Sequence, residues 1–302
     1  NFIFEATEIN ISKNGDIINA KNGTATSKID NIIIEAEKFE YNKKKLILNA
    51  TNGVSKLLNK NLKIEANNFL YNQNLFELNA SGNVIIKDDK NKLLIESENI
   101  SYNTINGNLE SKTPSIIKDN EGNIFSTNEF FYYSKDQYIK FNDTKLTDNE
   151  KNTFQIQDAY FDLNTNQILG KDFYSEFNNN SFNEANEPRL KGLTLLKNKD
   201  KSIISKGIFT TCKKNDSCPP WQISAKKITH DNKKKVIYYE NAWLKLYDKP
   251  IFYFPKFFHP DPSVKRQSGF LMPSLTSSAN LGSSFNLPYY HVISDDKDLT
   301  IK

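Results

Sequence analysis

Apolar and polar residues alternate along the first half of the chain with a period of two. In "LKIEA", Leu62, Ile64 and Ala66 fall on one phase while Lys63 and Glu65 fall on the other. "LFELNA" repeats the pattern at Phe76, Leu78 and Ala80. Such alternation predicts strands with one buried face. The blocks themselves recur. "IEAEKFEYNKKKLILNA" (34–50), "IEANNFLYNQNLFELNA" (64–80) and "IESENISYNTINGNLES" (95–111) align on the pairs Tyr41-Asn42, Tyr71-Asn72 and Tyr102-Asn103. Looser copies fall at Ile11, Tyr132 and Leu163, in steps of 30 or 31 residues. The Asn-rich "YNQN" and "YNKKK" between two apolar runs read as turns. "NKKK" at 42–45 and "NKKKV" at 232–236 read as hairpin tips in the same way. Each unit therefore predicts two or three short strands, with little room for a helix. A unit this small cannot bury its apolar face alone, so neighbours must stack.

The stack predicts an elongated all-β structure with a continuous apolar interior. That interior is either filled by side chains, as in a β-solenoid or sandwich, or partly vacant, as in an open V-shaped jelly roll that holds acyl chains. Periodicity does not separate the two. On phase alone, Ile64, Ala66, Leu78, Ala80, Val84 and Ile86 are the candidates for lining a lipid groove. The first and last strands are open edges, where a second protein can add a strand.

After about Asn166 the repeat decays. "SEFNNNSFNEANEPRLKG" (175–192) reads as a loop or irregular strand pair. "WQISAKKITHD" and "KVIYYENAWLKLYD" then alternate around Asn/Lys turns, as divergent copies of the hairpin unit. Composition agrees with strands: the 302 residues include 21 Phe and 14 Tyr but only one Met and 11 Gly. Hydrophobic residues make up 37% and mean hydropathy is −0.63, with no apolar run of the roughly 18 residues a membrane helix needs. A membrane β-barrel stays open, because its strands alternate. The net charge of +4 is spread among interleaved lysines and carboxylates, so no nucleic-acid stripe is expected. The chain opens as a strand, with no initiator Met and no signal-peptide pattern, and is expected to be processed or a fragment.

No catalytic constellation emerges. There is no Gly-rich phosphate loop, no nucleophile elbow and no HExxH, and no carboxylate pair is marked as a glycosidase dyad. His230, His259 and His291 lie on different segments, and His230 precedes "DNKKK" as an expected hairpin-tip residue. His259 and Asp261 make a weak metal pair with no further ligand nearby. No cofactor is expected. Cys212 and Cys218 stand in the polar loop "TTCKKNDSCPPW". Zinc would need further ligands there, whereas an oxidising compartment would let them form a disulfide, with each other or with cysteines outside this chain.

Ile251 to Ser274 collects four prolines and five phenylalanines. With its flanks it carries a specific likeness. Thr211-Cys212, Trp221-Gln222, Pro250 to Phe258 and "KRQSGFLMPS" (265–274) resemble the signature region of the LptD, or organic solvent tolerance (OstA-like), family of lipopolysaccharide-assembly outer-membrane proteins. The likeness is close from Thr210 to Leu275 and loose elsewhere. It implies a periplasmic β-jelly roll over 1–250, with repeats to about 165 and divergent strands after. A Pro/Phe-rich junction at 251–267 and the first strands of a transmembrane β-barrel at 268–302 would follow. It implies lipopolysaccharide as cargo, a periplasmic bridge protein (LptA-like) joined by edge-strand addition, a plug lipoprotein (LptE-like) held by the rest of the barrel, and location in the outer membrane. It matches Cys212 to a cysteine that pairs with the barrel, and leaves Cys218 ambiguous.

In that frame Pro250, Pro255, Pro260 and Pro262 are expected to interrupt strand pairing and fix a bent path. Lys265 and Arg266 are either lipid-phosphate contacts or solvated linker charges. "SSFNLPYYHVI" reads as a first barrel strand and "DKDLTIK" as the start of a second. Pro273 and Pro288 are unusual there; Pro288 either weakens a barrel seam or is a harmless bulge proline. Two other readings compete: a soluble periplasmic bridge or scaffold with the same roll, and a secreted β-solenoid enzyme acting on polysaccharide.

Overall fold

The computed structural model describes residues 2–58, 61–177, 187–213, 220–261, 264, 266–271, 274–278, 282–294 and 296–302. Strands dominate. They are β1 (Ile3–Ser12), β2 (Ile17–Ser27), β3 (Ile32–Asn42), β4 (Ile47–Leu57), β5 (Leu62–Asn72), β6 (Glu77–Asp88), β7 (Leu93–Asn103), β8 (Leu109–Ser111) and β9 (Ser115–Lys118). They continue as β10 (Ile124–Tyr133), β11 (Tyr138–Thr147), β12 (Thr153–Asp162), β13 (Gln167–Glu176), β14 (Arg189–Lys197), β15 (Lys201–Thr210), β16 (Trp221–Asp231), β17 (Val236–Leu246) and β18 (Lys249–Pro260). Each pairs antiparallel with the next, and β8 and β9 together fill one place between β7 and β10. The result is one 18-stranded antiparallel sheet. The unit is two long strands, eleven residues each in β3, β4 and β5, rather than two or three short ones.

The turns explain the recurrent Tyr-Asn. The Asn that ends a strand caps the turn after it: Lys44 N and Lys45 N donate to Asn42 Oδ1 at 3.1 and 2.9 Å. Ile105 N and Asn106 N both donate to Asn103 Oδ1 at 3.1 Å. The turn closes with a left-handed residue, Leu46 at φ 57 and Phe76 at φ 55. Phe76 thus belongs to the turn, not to the alternating strand expected of it. The inward aromatic of the β12 copy is the buried Phe161, next to last in its strand, rather than Leu163, which has already entered the turn.

A second set of left-handed residues lies in mid-strand: Asn22, Asn52, Asn83, Asp143, Asp172, Lys206 and Asn241, with φ between 48 and 51. They fall on β2, β4, β6, β11, β13, β15 and β17. Pairing skips one position at the crossing. Ala36 faces Gly53 and Lys38 faces Thr51, while Glu37 and Asn52 lie between. In the place of β8 and β9 the strand breaks outright at Lys112 to Pro114. The row is a crease. On β3 it inverts the alternation, so that Ile32, Ile34 and Ala36 before it and Phe39 and Tyr41 after it are all buried. A sheet folded on such a line turns both halves of one face inward. Asn and Asp suit the crease because their short polar side chains tolerate the left-handed region. Two glycines answer a different need, the close approach of backbones. A Cβ on Gly23 would lie 2.1 Å from the Glu5 carbonyl oxygen, and one on Gly53 2.3 Å from that of Glu35.

The fold brings the two rows of turns together, and polar side chains bridge them. Gln73 Nε2 donates to Asp30 Oδ2 at 3.1 Å, Tyr132 hydroxyl to Asp88 Oδ2 at 2.9 Å, and Asn166 Nδ2 to Glu121 Oε1 at 3.1 Å. Lys90 Nζ reaches Gln137 Oε1 at 3.1 Å, and Lys235 Nζ reaches Glu150 Oε1 at 2.9 Å. The chain is therefore all-β, a repeat-built sheet rolled on itself as a jelly roll. Inside runs one apolar core from Phe2 to Ala242, with Phe254 and Phe257 packed against its end.

The crease makes a prediction. Gly53→Ala should lower stability by about 1–3 kcal/mol through overpacking, whereas Asn52→Gly, which keeps the left-handed backbone open, should leave it within about 0.5 kcal/mol. Urea midpoints at constant slope check both.

Candidate functional site

The six groove candidates share the inner face. Ile64, Leu78, Val84 and Ile86 are fully buried, and Ala66 and Ala80 nearly so. Ile64 faces Ile86 across the β5–β6 ladder, and Tyr71 faces Leu78. Around them Phe2 meets Tyr41 and Tyr71 edge-on at 5.5 and 5.8 Å. Burial holds the phenols of Tyr71, Tyr102, Tyr132 and Tyr239 above the usual phenol range. Tyr102 is pushed up to about 12. They stay neutral and line the interior without charge.

The closure loosens in the second half. A cavity of about 670 Å³ opens between the turn rows at 148–152, 198–200 and 232–235. Its floor is apolar, with Phe154, Ile168, Phe177, Leu190 and Ile204. Lys197 crosses it. Its ammonium lies 3.1 Å from Asp148 Oδ2 and 4.9 Å from the centre of the Phe154 ring, and both charged side chains are almost wholly buried. Asp148 is held in turn by Glu150 N and Asn152 N, which donate to Oδ1 at 3.1 and 2.9 Å. A bridge of this kind is costly to break on one side only.

Beyond the cavity the interior reaches β18. Phe252, Phe254 and Phe257 continue its inner face opposite Leu244, Ala242 and Tyr239, and Phe252 is exposed. Here the structure corrects the expectation for the prolines. Pro260 faces Val236 and Pro250 faces Lys245 within one continuous strand that runs on through Pro260; the register slips by one residue only beside Pro250, at Ile251. β18 pairs only with β17 among the described residues, so its free edge tolerates prolines. Pro255 falls between the paired positions Lys256 and Phe254, opposite the crease residue Asn241.

His230 is not a tip residue. It is buried near the end of β16, and its Nε2 pairs with Asp261, just past β18. His259 lies beside them. Its Nδ1 donates to the Pro260 carbonyl at 2.6 Å, so its Nε2 accepts from the Tyr239 hydroxyl at 2.8 Å. Burial holds the His259 pKa below the usual imidazole value, with His230 acting in the same direction; the Pro260 carbonyl and Asp261 oppose it. Among the described residues no group of three or more His, Cys, Asp or Glu is placed to hold a metal ion.

Cys212 is half-buried, with its thiol 3.6 Å from the Trp221 carbonyl and its N–H donating to Thr210 Oγ1 at 3.2 Å. Cys218, Pro262, Lys265 and Pro273 lie outside the described residues. Arg266 meets side chains of its own chain: its Nε donates to the Tyr290 hydroxyl at 3.1 Å, and its guanidinium pairs with Asp298. The expected strand "SSFNLPYYHVI" is two strands, β21 (Gly282–Asn286) and β22 (Tyr289–Ser294), split at Leu287 and Pro288. Pro288 stands outside both ladders, and its carbonyl accepts from Leu271 N at 2.8 Å. β22 pairs with β19 (Gly269–Phe270) and β23 (Lys297–Ile301), while β21 pairs with β20 (Ser274–Ser278).

Three features went unforeseen: the crease, the Lys197–Asp148 bridge and the His230–Asp261 pair. Only the first left a trace, the Asn-Gly dipeptides at Asn22-Gly23 and Asn52-Gly53, one repeat apart.

The geometry defines a class: a creased β-roll with an apolar interior that reaches an uncovered last strand. Known proteins narrow it. No family model matches the chain. It is 36% identical over 110 residues to the LPS-assembly protein LptD of Yersinia pestis biovar Antiqua, covering 35% of this chain and 14% of that protein. It is 38% identical over 101 residues to the LptD of Nitrosococcus oceani, covering 33% and 13%. With the LptD of Francisella tularensis subspecies tularensis it shares 26% over 162 residues, covering 51% and 17%. The match thus spans less than a fifth of the length of these relatives, and the chain fits a fragment of an LPS-assembly protein LptD.

Acid should loosen the end of the roll. The unfolded chain protonates His259 near its ordinary value of about 6.5, while the folded chain resists until a lower pH. Stability should therefore fall as pH drops below about 6.5 and level off once the folded imidazole also titrates. His259→Gln should flatten that part of the curve in urea melts; an unchanged slope would assign the pH dependence to other groups.

Proposed function

We propose that this chain is the periplasmic roll and barrel threshold of a protein that moves lipopolysaccharide to the outer leaflet of the outer membrane. One observation carries the reading: the continuous apolar interior, which runs through a single creased sheet from Phe2, past Phe254 and Phe257, to the exposed Phe252 of β18. Acyl chains travel in that interior. Ile64, Ala66, Leu78, Ala80, Val84 and Ile86 lie on its wall. The sugars stay outside, along the polar turn rows.

The two edges take different partners. β1 pairs only with β2 among the described residues, so its outer edge is free to receive a strand from an LptA-like periplasmic bridge. At the other end, residues 268–302 form the first barrel strands, whose exposed Phe285, Ile293 and Leu299 suit a lipid-facing surface. The complete barrel holds an LptE-like plug. Pro250, Pro255 and Pro260 keep the free edge of β18 from pairing further, and Pro288 ends a ladder at the barrel seam. Cys212 and Cys218 form disulfides in the oxidising periplasm, with each other or with the barrel.

Photocrosslinking tests the reading in cells that make the complete gene product. A photoreactive residue at Ile64 or Leu78 should capture lipopolysaccharide, and one at the outward Lys63 should not. A folded, membrane-assembled protein with no adduct at either inward position would overturn it.

A further inference from the structure

The outer face of the roll changes character along the meander. On β3 it carries Glu35, Lys38 and Glu40, and on β5 Lys63, Asn68 and the exposed Leu70; a first group of outward tyrosines, Tyr133, Tyr138 and Tyr160, stacks on β10 to β12. On β17 and β18 it carries aromatics. Tyr238 faces Phe258 and Trp243 faces Tyr253 across the ladder, with ring centroids 6.0 and 5.0 Å apart. All four are exposed, at 37% for Tyr238, 42% for Trp243, 45% for Tyr253 and 61% for Phe258. Ile251, on the phase of Tyr253, and the exposed Tyr247 extend the patch to the turn. The inward partners on the same strands, Tyr239 opposite Phe257 and Ala242 opposite Phe254, belong to the interior route. The patch is therefore a separate surface, on the opposite side of the sheet.

Charge surrounds and crosses it. Between the two aromatic pairs, Glu240 faces Lys256 and binds Lys227 Nζ at 2.8 Å. Lys226, Lys227, Lys245 and Lys256 outnumber Glu240 and Asp248 on these strands and their turn. The hydrogen bond to Lys227 first, and then the charges of Lys227, Lys256 and Lys226, hold the Glu240 carboxyl below the usual carboxylate range. A protein–protein interface would be expected to keep charge out of its centre; here a charged row runs through the middle of the aromatics. Trp and Tyr with an apolar body and a polar tip, set among lysines whose stems can lie along apolar surface, are the composition of a bilayer's head-group zone. The excess of lysine complements anionic head groups.

We propose that the outer face of β17 and β18 rests on a phospholipid bilayer surface containing anionic lipid. It would hold the end of the roll against the membrane, so that the uncovered inner face of β18 opens next to the bilayer rather than into water. The inference stands on the outward residues alone and does not require the interior to carry any particular lipid.

Trp243 reports on it directly. Trp221→Phe leaves Trp243 as the sole tryptophan of the 302-residue chain. The chain is mixed with vesicles of phosphatidylethanolamine and phosphatidylglycerol that carry acyl chains brominated near the head group. Flotation alone would not decide, since residues 268–302 also expose apolar side chains; quenching of Trp243 is specific to the patch. We expect its fluorescence to be quenched, with the loss reversed by salt and weaker on phosphatidylcholine vesicles. Phe258→Ser with Tyr253→Ser should reduce the quenching while the thermal melt stays in place, because both side chains are exposed. Trp243 unquenched on bound vesicles would overturn the proposal. So would protection of Trp243 by a protein partner that excludes the brominated lipid.

Discussion

The fold depends on one backbone constraint, the left-handed residue in the middle of every second strand. A flat meander of this length would leave one apolar face in water. The crease at Asn22, Asn52, Asn83, Asp143, Asp172, Lys206 and Asn241 folds the sheet along a line, and the alternation of side chains slips there by one residue. Both halves of each strand then bury their apolar phase. An αL residue costs about 1 kcal/mol or more for most side chains, and the chain limits that cost by using Asn or Asp at six of the seven places.

Folding on the crease gives the interior two kinds of wall. Along the strands it is closed by ladder hydrogen bonds. Along the seam, where the turn rows meet, it is closed by side chains: Gln73 to Asp30, Tyr132 to Asp88, Lys197 to Asp148. Ladders are cooperative and span whole strands, while side-chain bridges open singly. The cavity with its floor of Phe154, Ile168 and Leu190 lies on the seam, in keeping with this difference. At β18 the interior meets no further ladder among the described residues, and Phe252 is exposed.

Much of this was legible in the sequence because it is periodic. The Tyr-Asn pairs marked the strand ends, and the phase of Ile64, Leu78 and Ile86 gave the inner face. The crease was harder to read, because Asn-Gly ordinarily signals a hairpin tip, yet Asn52-Gly53 sits in mid-strand. The bridges were not legible at all. Asp148 and Lys197, or His230 and Asp261, meet only because a sheet many strands wide has folded over, and nothing local in either residue announces its partner. Pro250 and Pro260 misled for a similar reason: a proline breaks a central strand, but β18 is an edge.

If the interior is a through route, a cargo molecule passes its residues in a fixed order. Photoreactive residues at Ile64 on β5 and at Phe254 on β18 would be introduced separately into the complete gene product, and newly made lipopolysaccharide would be pulse-labelled. On a through route, labelled adducts should appear at Ile64 first and at Phe254 after a delay, and clear in the same order. Adducts at Phe254 that appear before, or without, any at Ile64 would mean that lipid enters at the last strand, and the roll would not be its path.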